Sequence, residues 1–169
     1  GFDCVTFVET VLAFALADSP AEIPEVLKTI RYSGPISHAT RHHFTSIDWF
    51  PGNRLLFDVL YADSHRNIWI DRAKFFGERG LPGGLAGRVH VSFPFTTRES
   101  LPEISLPTES CVIFVVGNRD WIVVDHMGIL CDGFFYHASS AKQKVVKDNI
   151  VQYILDKENK LGITILRLK

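Results

Sequence analysis

Three side chains in this sequence have types and settings that suit nucleophilic chemistry at a carbonyl: Cys4, His126 and His137. A thiol attacks as its thiolate, and a free cysteine, with a pKa of about 8.5, holds little thiolate at neutral pH. Cys4 follows Asp3, a residue suited to cap a helix, and opens a stretch with apolar residues at helical spacing. It therefore reads as the first residue of a helix. There the unpaired N–H groups and the positive end of the helix dipole lower a thiol's pKa. The same N–H groups can hold the oxyanion formed when sulfur adds to a carbonyl. The sequence predicts a depressed Cys4 pKa on this ground. A buried cysteine that only packs is the plainer alternative.

The histidines strengthen the first reading. Asp132-Gly133 is a two-residue hairpin signal, which pairs Cys131 with Phe134 and, counting back, Gly128 with His137. His126 then shares a face with His137, one diagonal step away. Diagonal neighbours lie about 7–8 Å apart at the backbone, within reach of two imidazoles. One ring can act as base toward a thiol while the other fixes its tautomer. Two separate half-exposed strand histidines are the bland alternative. Asp125 competes as orienting group, but strand alternation points it to the opposite face from His126. Cys111 competes for the thiol role, because a four-residue turn at 117–120 would set it opposite His126. Zinc on Cys4, His126 and His137 is a further reading. The one short ligand spacing, His38 and His42, has no partner acid or cysteine nearby, so no metal is expected.

The elements that must position these residues follow from periodicity. Residues 4–17 read as a helix with Phe7, Val8, Val11, Leu12 and Ala15 on one face, stopped at Asp18-Ser19-Pro20. A second helix is expected over 21–30, a structured aromatic loop over 31–53, a helix and then a short strand over 54–80, and extended or irregular chain over 80–110. Strands are expected at 111–116, 121–131 and 134–138, a helix near 149–158 and a last strand at 162–168. Helices precede an antiparallel sheet, so the fold class is α+β.

Bulk properties narrow the function. The chain has 169 residues, 46% hydrophobic and 22% charged, which suits one domain spanning 1–169. The net charge of −1 shows no basic block, so a nucleic-acid partner is not expected. No stretch reaches the ~20 apolar residues of a membrane crossing. Three cysteines, an odd count, make no disulfide framework, and Cys111 and Cys131 read as core residues. The chain opens abruptly on a helix cap with no leader before it, so it is read as trimmed at its N-terminus.

Phe2-Asp3-Cys4-Val5-Thr6-Phe7-Val8-Glu9 resembles the nucleophile helix of the NlpC/P60 papain-like superfamily. His126-Met127-Gly128-Ile129 is similar to its base-bearing strand, and His137-Ala138-Ser139-Ser140 to the strand with the third polar residue. Val5-Thr6 after the cysteine, Arg31-Tyr32, Arg41, His43-Phe44 and Asp48-Trp49 resemble one branch, the N-acetylmuramoyl-L-alanine amidase-like family once filed as DUF1460. Family members extend further at the N-terminus, and Asp125 replaces the small hydroxyl residue usual before the base histidine. The resemblance implies a papain-like fold, no cofactor, a bacterial envelope or secreted location, and peptidoglycan fragments as substrates. It implies hydrolysis of the amide between the lactyl group of N-acetylmuramic acid and L-alanine by Cys4, His126 and His137.

Tyr32, Arg41, Asp48 and Trp49 form the expected substrate wall, with Trp49 stacking on a sugar and Arg41 meeting a carboxylate. Loop packing and internal ion pairs, Arg41 with Asp48 for instance, are the alternative for these four. A γ-D-glutamyl–diamino acid endopeptidase, a non-catalytic wall-binding module and an acyltransferase remain the competing functions.

Overall fold

The computed structural model describes residues 3–78, 80 and 87–169, with the side chain of Glu78 excepted. Phe2 of the nucleophile-helix resemblance and residues 81–86 of the expected irregular segment lie outside the described residues. The first helix, α1 (Cys4–Leu16), is capped by Asp3, whose Oδ1 accepts from the Thr6 amide at 2.7 Å. Cys4 is thus the first helical residue. Of the expected face of α1, Val8 and Leu12 are buried, Phe7 and Val11 are partly buried and Ala15 is exposed. Glu9 lies on that face too, fully buried, which apolar periodicity gave no reason to expect. It is accommodated because Arg31 Nε donates to it at 2.6 Å and Arg41 stands 3.5 Å away. Arg31 closes the second helix, α2 (Ile23–Arg31), which packs on α1.

The aromatic loop turns back on itself through a bridge between Tyr32 and Arg41, a π-helical turn at Thr45–Trp49 and a short helix, α3 (Phe50–Gly52). Residues 54–80 run in the opposite order to that expected. A single 3-10 turn leads to two strands, β1 (Phe57–Leu60) and β2 (Ser64–Asp71), and a helix follows, α4 (Arg72–Glu78). In β2 exposure alternates along most of the strand, the mark of a ribbon with one wet face. The segment expected to be extended or irregular carries a ten-residue strand, β3 (Arg88–Thr97).

The sheet is completed by β4 (Cys111–Gly117), β5 (Val124–Cys131), β6 (Phe134–Ser139), β7 (Lys144–Asp148) and β8 (Lys160–Leu168), with helix α5 (Ile150–Leu155) between the last two. The strand order is β2-β3-β8-β4-β5-β6-β7, β1 also pairs with β8, and every pairing is antiparallel. The architecture is α+β, N-terminal helices against a large antiparallel sheet. One core cluster lies around α1, α2 and the aromatic loop, and a second around α5 on β4, β6 and β8. No helix among the described residues is long and apolar enough to cross a membrane.

Candidate active site

The hairpin between β5 and β6 sets the site. Asp132 and Gly133 both have positive φ, 50° and 76°, the backbone of a tight two-residue turn. That turn pairs Cys131 with Phe134, Leu130 with Phe135 and Ile129 with Tyr136. The diagonal step then brings His126 and His137 together: His126 Nε2 lies 2.8 Å from His137 Nδ1, with the rings nearly perpendicular. The next strand repeats the geometry. His137 pairs with Val146 across β6 and β7, so Asp148 is its diagonal neighbour there, and Asp148 Oδ2 lies 2.9 Å from His137 Nε2. Three adjacent strands each contribute one polar side chain to a continuous line. Asp148 was missed in the sequence because β7 is short, charged and unpredicted.

The line fixes the tautomers. The His137 bond holds the Asp148 carboxyl below its ordinary pKa, so it is ionised and can only accept. His137 Nε2 therefore carries a hydrogen. In the neutral ring its Nδ1 then accepts from Nε2–H of His126. The lone pair of His126 is left on Nδ1, free to take a proton. Burial lowers the pKa of both rings, His137 despite the opposing pull of Asp148. His126 falls to about 4, with His137, Lys160 and Lys157 adding to the burial effect. Tyr153 of α5 stacks on the His126 ring at 6.0 Å, and its own hydroxyl is pushed up to about 12, chiefly by burial.

Cys4 is partly buried where α1 packs on β5 and β6. The backbone amides of Met127, Val5 and Cys4 itself act on its sulfur, which places the thiol against the residue that follows His126. Contrary to expectation, the Cys4 pKa is raised. Burial raises it most, Asp3 adds to that, and the three amides pull the other way without overcoming it. The helix terminus is present, but loss of solvent outweighs it. With His126 low and Cys4 high, the resting groups are a neutral thiol and a neutral imidazole.

Of the two competitors, Cys111 lies in the core as expected and Asp125 departs from the expected alternation. The connection between β4 and β5 is longer than four residues, so Val115 rather than Cys111 lies opposite His126. Cys111 faces the second core, 2% exposed, with its thiol pushed up to about 11 by burial. Asp125 does not follow strict alternation either, because the β4–β5 register shifts there and leaves it as an extra residue. It lines the same cavity as His126 and His137, where Lys160 Nζ donates to its Oδ2 at 2.7 Å. Gly117 makes room for this, since a Cβ there would overlap the Asp125 carboxylate.

The expected substrate wall divides. Trp49 is 1% exposed and packs between Phe57 and Phe114, so it cannot stack on a sugar. Asp48 is committed internally: its Oδ2 accepts from the amides of His43 and Phe44, and its Oδ1 from Arg72 at 2.8 Å. Both assignments are overturned, because the π-helical turn carries these side chains inward. Tyr32 and Arg41 remain half-exposed, the guanidinium 5.6 Å from the Tyr32 ring centre. Arg41 pairs with Glu9, not Asp48. Among the described residues no three His, Cys, Asp or Glu side chains are grouped to hold a metal ion. The His38 ring lies tilted against that of His43, 4.4 Å between centres, and the His42 ring lies against Gly52.

Residues 1–78, which carry Cys4 and the Tyr32–Trp49 segment, match the family model described as AmiA-like, N-acetylmuramoyl-L-alanine amidase-like. No curated protein matches the chain. Among solved structures it is similar to a Legionella pneumophila protein assigned to DUF1460, with a TM-score of 0.85 and 23% identity over 99% of this chain and 76% of that one. It is also similar to an N-acetylmuramoyl-L-alanine amidase from Bacteroides uniformis, with a TM-score of 0.79 and 25% identity over 99% of this chain and 83% of that one. The fold is shared with these proteins across nearly the whole chain, and the family model matches the part that carries Cys4.

Proposed function

We propose that this chain is a cysteine amidase of the N-acetylmuramoyl-L-alanine amidase-like family, a single domain of NlpC/P60 papain-like build acting on peptidoglycan fragments in the bacterial envelope or outside the cell. The observation that carries the reading is the line His126–His137–Asp148, together with a thiol at the start of a helix held against Met127, the residue that follows His126. A line of that kind is costly to bury, and its tautomers leave Nδ1 of His126 to serve as a base.

The chemistry follows from the tautomers. As Cys4 Sγ attacks the lactyl carbonyl, His126 Nδ1 takes its proton. The amides of Cys4 and Val5 hold the developing oxyanion. The imidazolium that forms keeps its Nε2–H on His137, which Asp148 anchors in turn. Its Nδ1 proton then passes to the leaving nitrogen of L-alanine, and the peptide departs. Neutral His126 next takes a proton from water, which attacks the acyl-enzyme and frees the muramoyl acid and the Cys4 thiol. Tyr32 and Arg41 are the remaining candidates for substrate contact.

Digestion of a purified muropeptide tests this reading through product masses. Release of intact peptide beginning with L-alanine supports the amidase. Cleavage only after the D-glutamyl residue makes the chain an endopeptidase, and no cleavage by the folded protein supports a wall-binding module.

A further inference from the structure

A cavity of about 350 Å³ opens beside the histidine pair, between β6, β7 and α5. Lys142, Lys157 and Lys160 line it, against Asp125 and Asp148. Lys160 is neutralised by Asp125 at 2.7 Å. Asp148 serves His137. Lys142 and Lys157 have no ion-pair partner among the described residues, so the walls carry an excess of one positive charge. Lys157 is also fixed in place. Its Nζ sits 3.6 Å from the Tyr153 ring centre and donates to the Tyr153 carbonyl at 3.2 Å. A held cation in a concave site gives up little freedom when it binds an anion.

We propose that this cavity is a carboxylate subsite in which Lys142 and Lys157 hold an acidic group of the peptide that leaves from the scissile amide. The assignment rests on the amidase reading for its side of the bond. His126, which gives its proton to the leaving nitrogen, lines the cavity, and Cys4, which keeps the acyl group, does not. The chain beyond the nitrogen therefore runs toward the lysines. A carboxylate meets both ammonium groups there without displacing either existing ion pair.

The experiment titrates the wild-type protein with alanyl-glutamate and, separately, with alanyl-glutamine amide, which has the same shape without the charge. At low salt the dicarboxylate should bind about tenfold more tightly or better, the size expected for hydrogen bonds to charged groups. Raising salt to about 0.5 M should erase most of the preference in the wild type, a readout that needs no variant. The double variant Lys142→Gln, Lys157→Gln should bind the two probes within about twofold of each other. Equal binding by the wild type at low salt, or an undiminished preference in the folded double variant, overturns the subsite.

The same probes built into muropeptides separate the two readings. Cleavage without charge preference removes the subsite and leaves the amidase. A carboxylate preference in a protein that cleaves no muropeptide removes the amidase and leaves an anion site.

Discussion

His126 and His137 meet nitrogen to nitrogen at 2.8 Å on neighbouring strands, and the second ring is anchored 2.9 Å from the Asp148 carboxylate. The contact is a matter of strand register, since each member stands one diagonal step from the next. Removing a member should cost in proportion to its distance from the proton. His126→Ala should lower kcat by about 10²–10⁴, the usual worth of a general acid–base group. His137→Ala should cost less, and Asp148→Asn roughly 10- to 100-fold, the usual worth of a partner that only orients a functional group. Steady-state kinetics on a defined muropeptide give the order, and an Asp148→Asn variant as damaged as His126→Ala would contradict the relay.

At Gly128 the two strands carrying the histidines leave no room for a side chain. A Cβ there would overlap the Tyr136 carbonyl and the Phe135 ring and stand 2.9 Å from the His137 Cβ. Gly128→Ala should therefore destabilise the fold by about 1–3 kcal/mol through overpacking. Activity should fall further than stability alone explains, because the shift moves His137. Denaturant midpoints and kinetics on the folded fraction check both, and full activity with unchanged stability would count against this packing.

Trp49 separates a binding role from a structural one. With 1% exposure between two phenylalanines, Trp49→Ala should destabilise by about 3–5 kcal/mol, and Trp49→Phe far less. The folded Trp49→Phe protein should keep its KM. A raised KM at unchanged stability would restore the sugar-stacking role.

The way the sequence misplaced Trp49 shows which features it makes legible. The β5–β6 hairpin could be read because Asp132-Gly133 specifies its own turn, and the turn alone fixes the register that joins the histidines. The cap at Asp3 and the place of Cys4 were legible for the same local reason. Asp148 was not, since its role depends on pairing with β6, and the five-residue strand Lys-Val-Val-Lys-Asp has no alternating apolar pattern to mark it. Asp125 deceived because one extra residue at a register shift breaks strand alternation. The Cys4 pKa was misjudged because the helix dipole is visible in sequence and the depth of burial is not.

Titration follows from the burial of both reacting groups. His126 falls from 6.5 to about 4 on folding. In the proposed mechanism its neutral form is the base, so kcat/KM should drop as pH falls through about 4, not through 6.5. The same depressed value bears on stability. The contribution is present above pH 6.5 and lost as pH falls toward 4, where the unfolded chain binds the extra proton. Because the Cys4 pKa is raised, its alkylation by iodoacetamide should be slow at pH 7 and climb above pH 9. Buried Cys111 should react more slowly still. A Cys4 titration midpoint below 7 would mean that thiolate and imidazolium coexist at rest.

The central claim is that one sulfur forms and breaks the bond to the substrate, and replacing it tests that claim most directly. Wild type and Cys4→Ala, matched for fold by circular dichroism and melting, are incubated with a muropeptide whose products are weighed. We expect the wild type to release the L-alanyl peptide and Cys4→Ala to release none above the uncatalysed rate. Equal product from the two proteins would contradict the account.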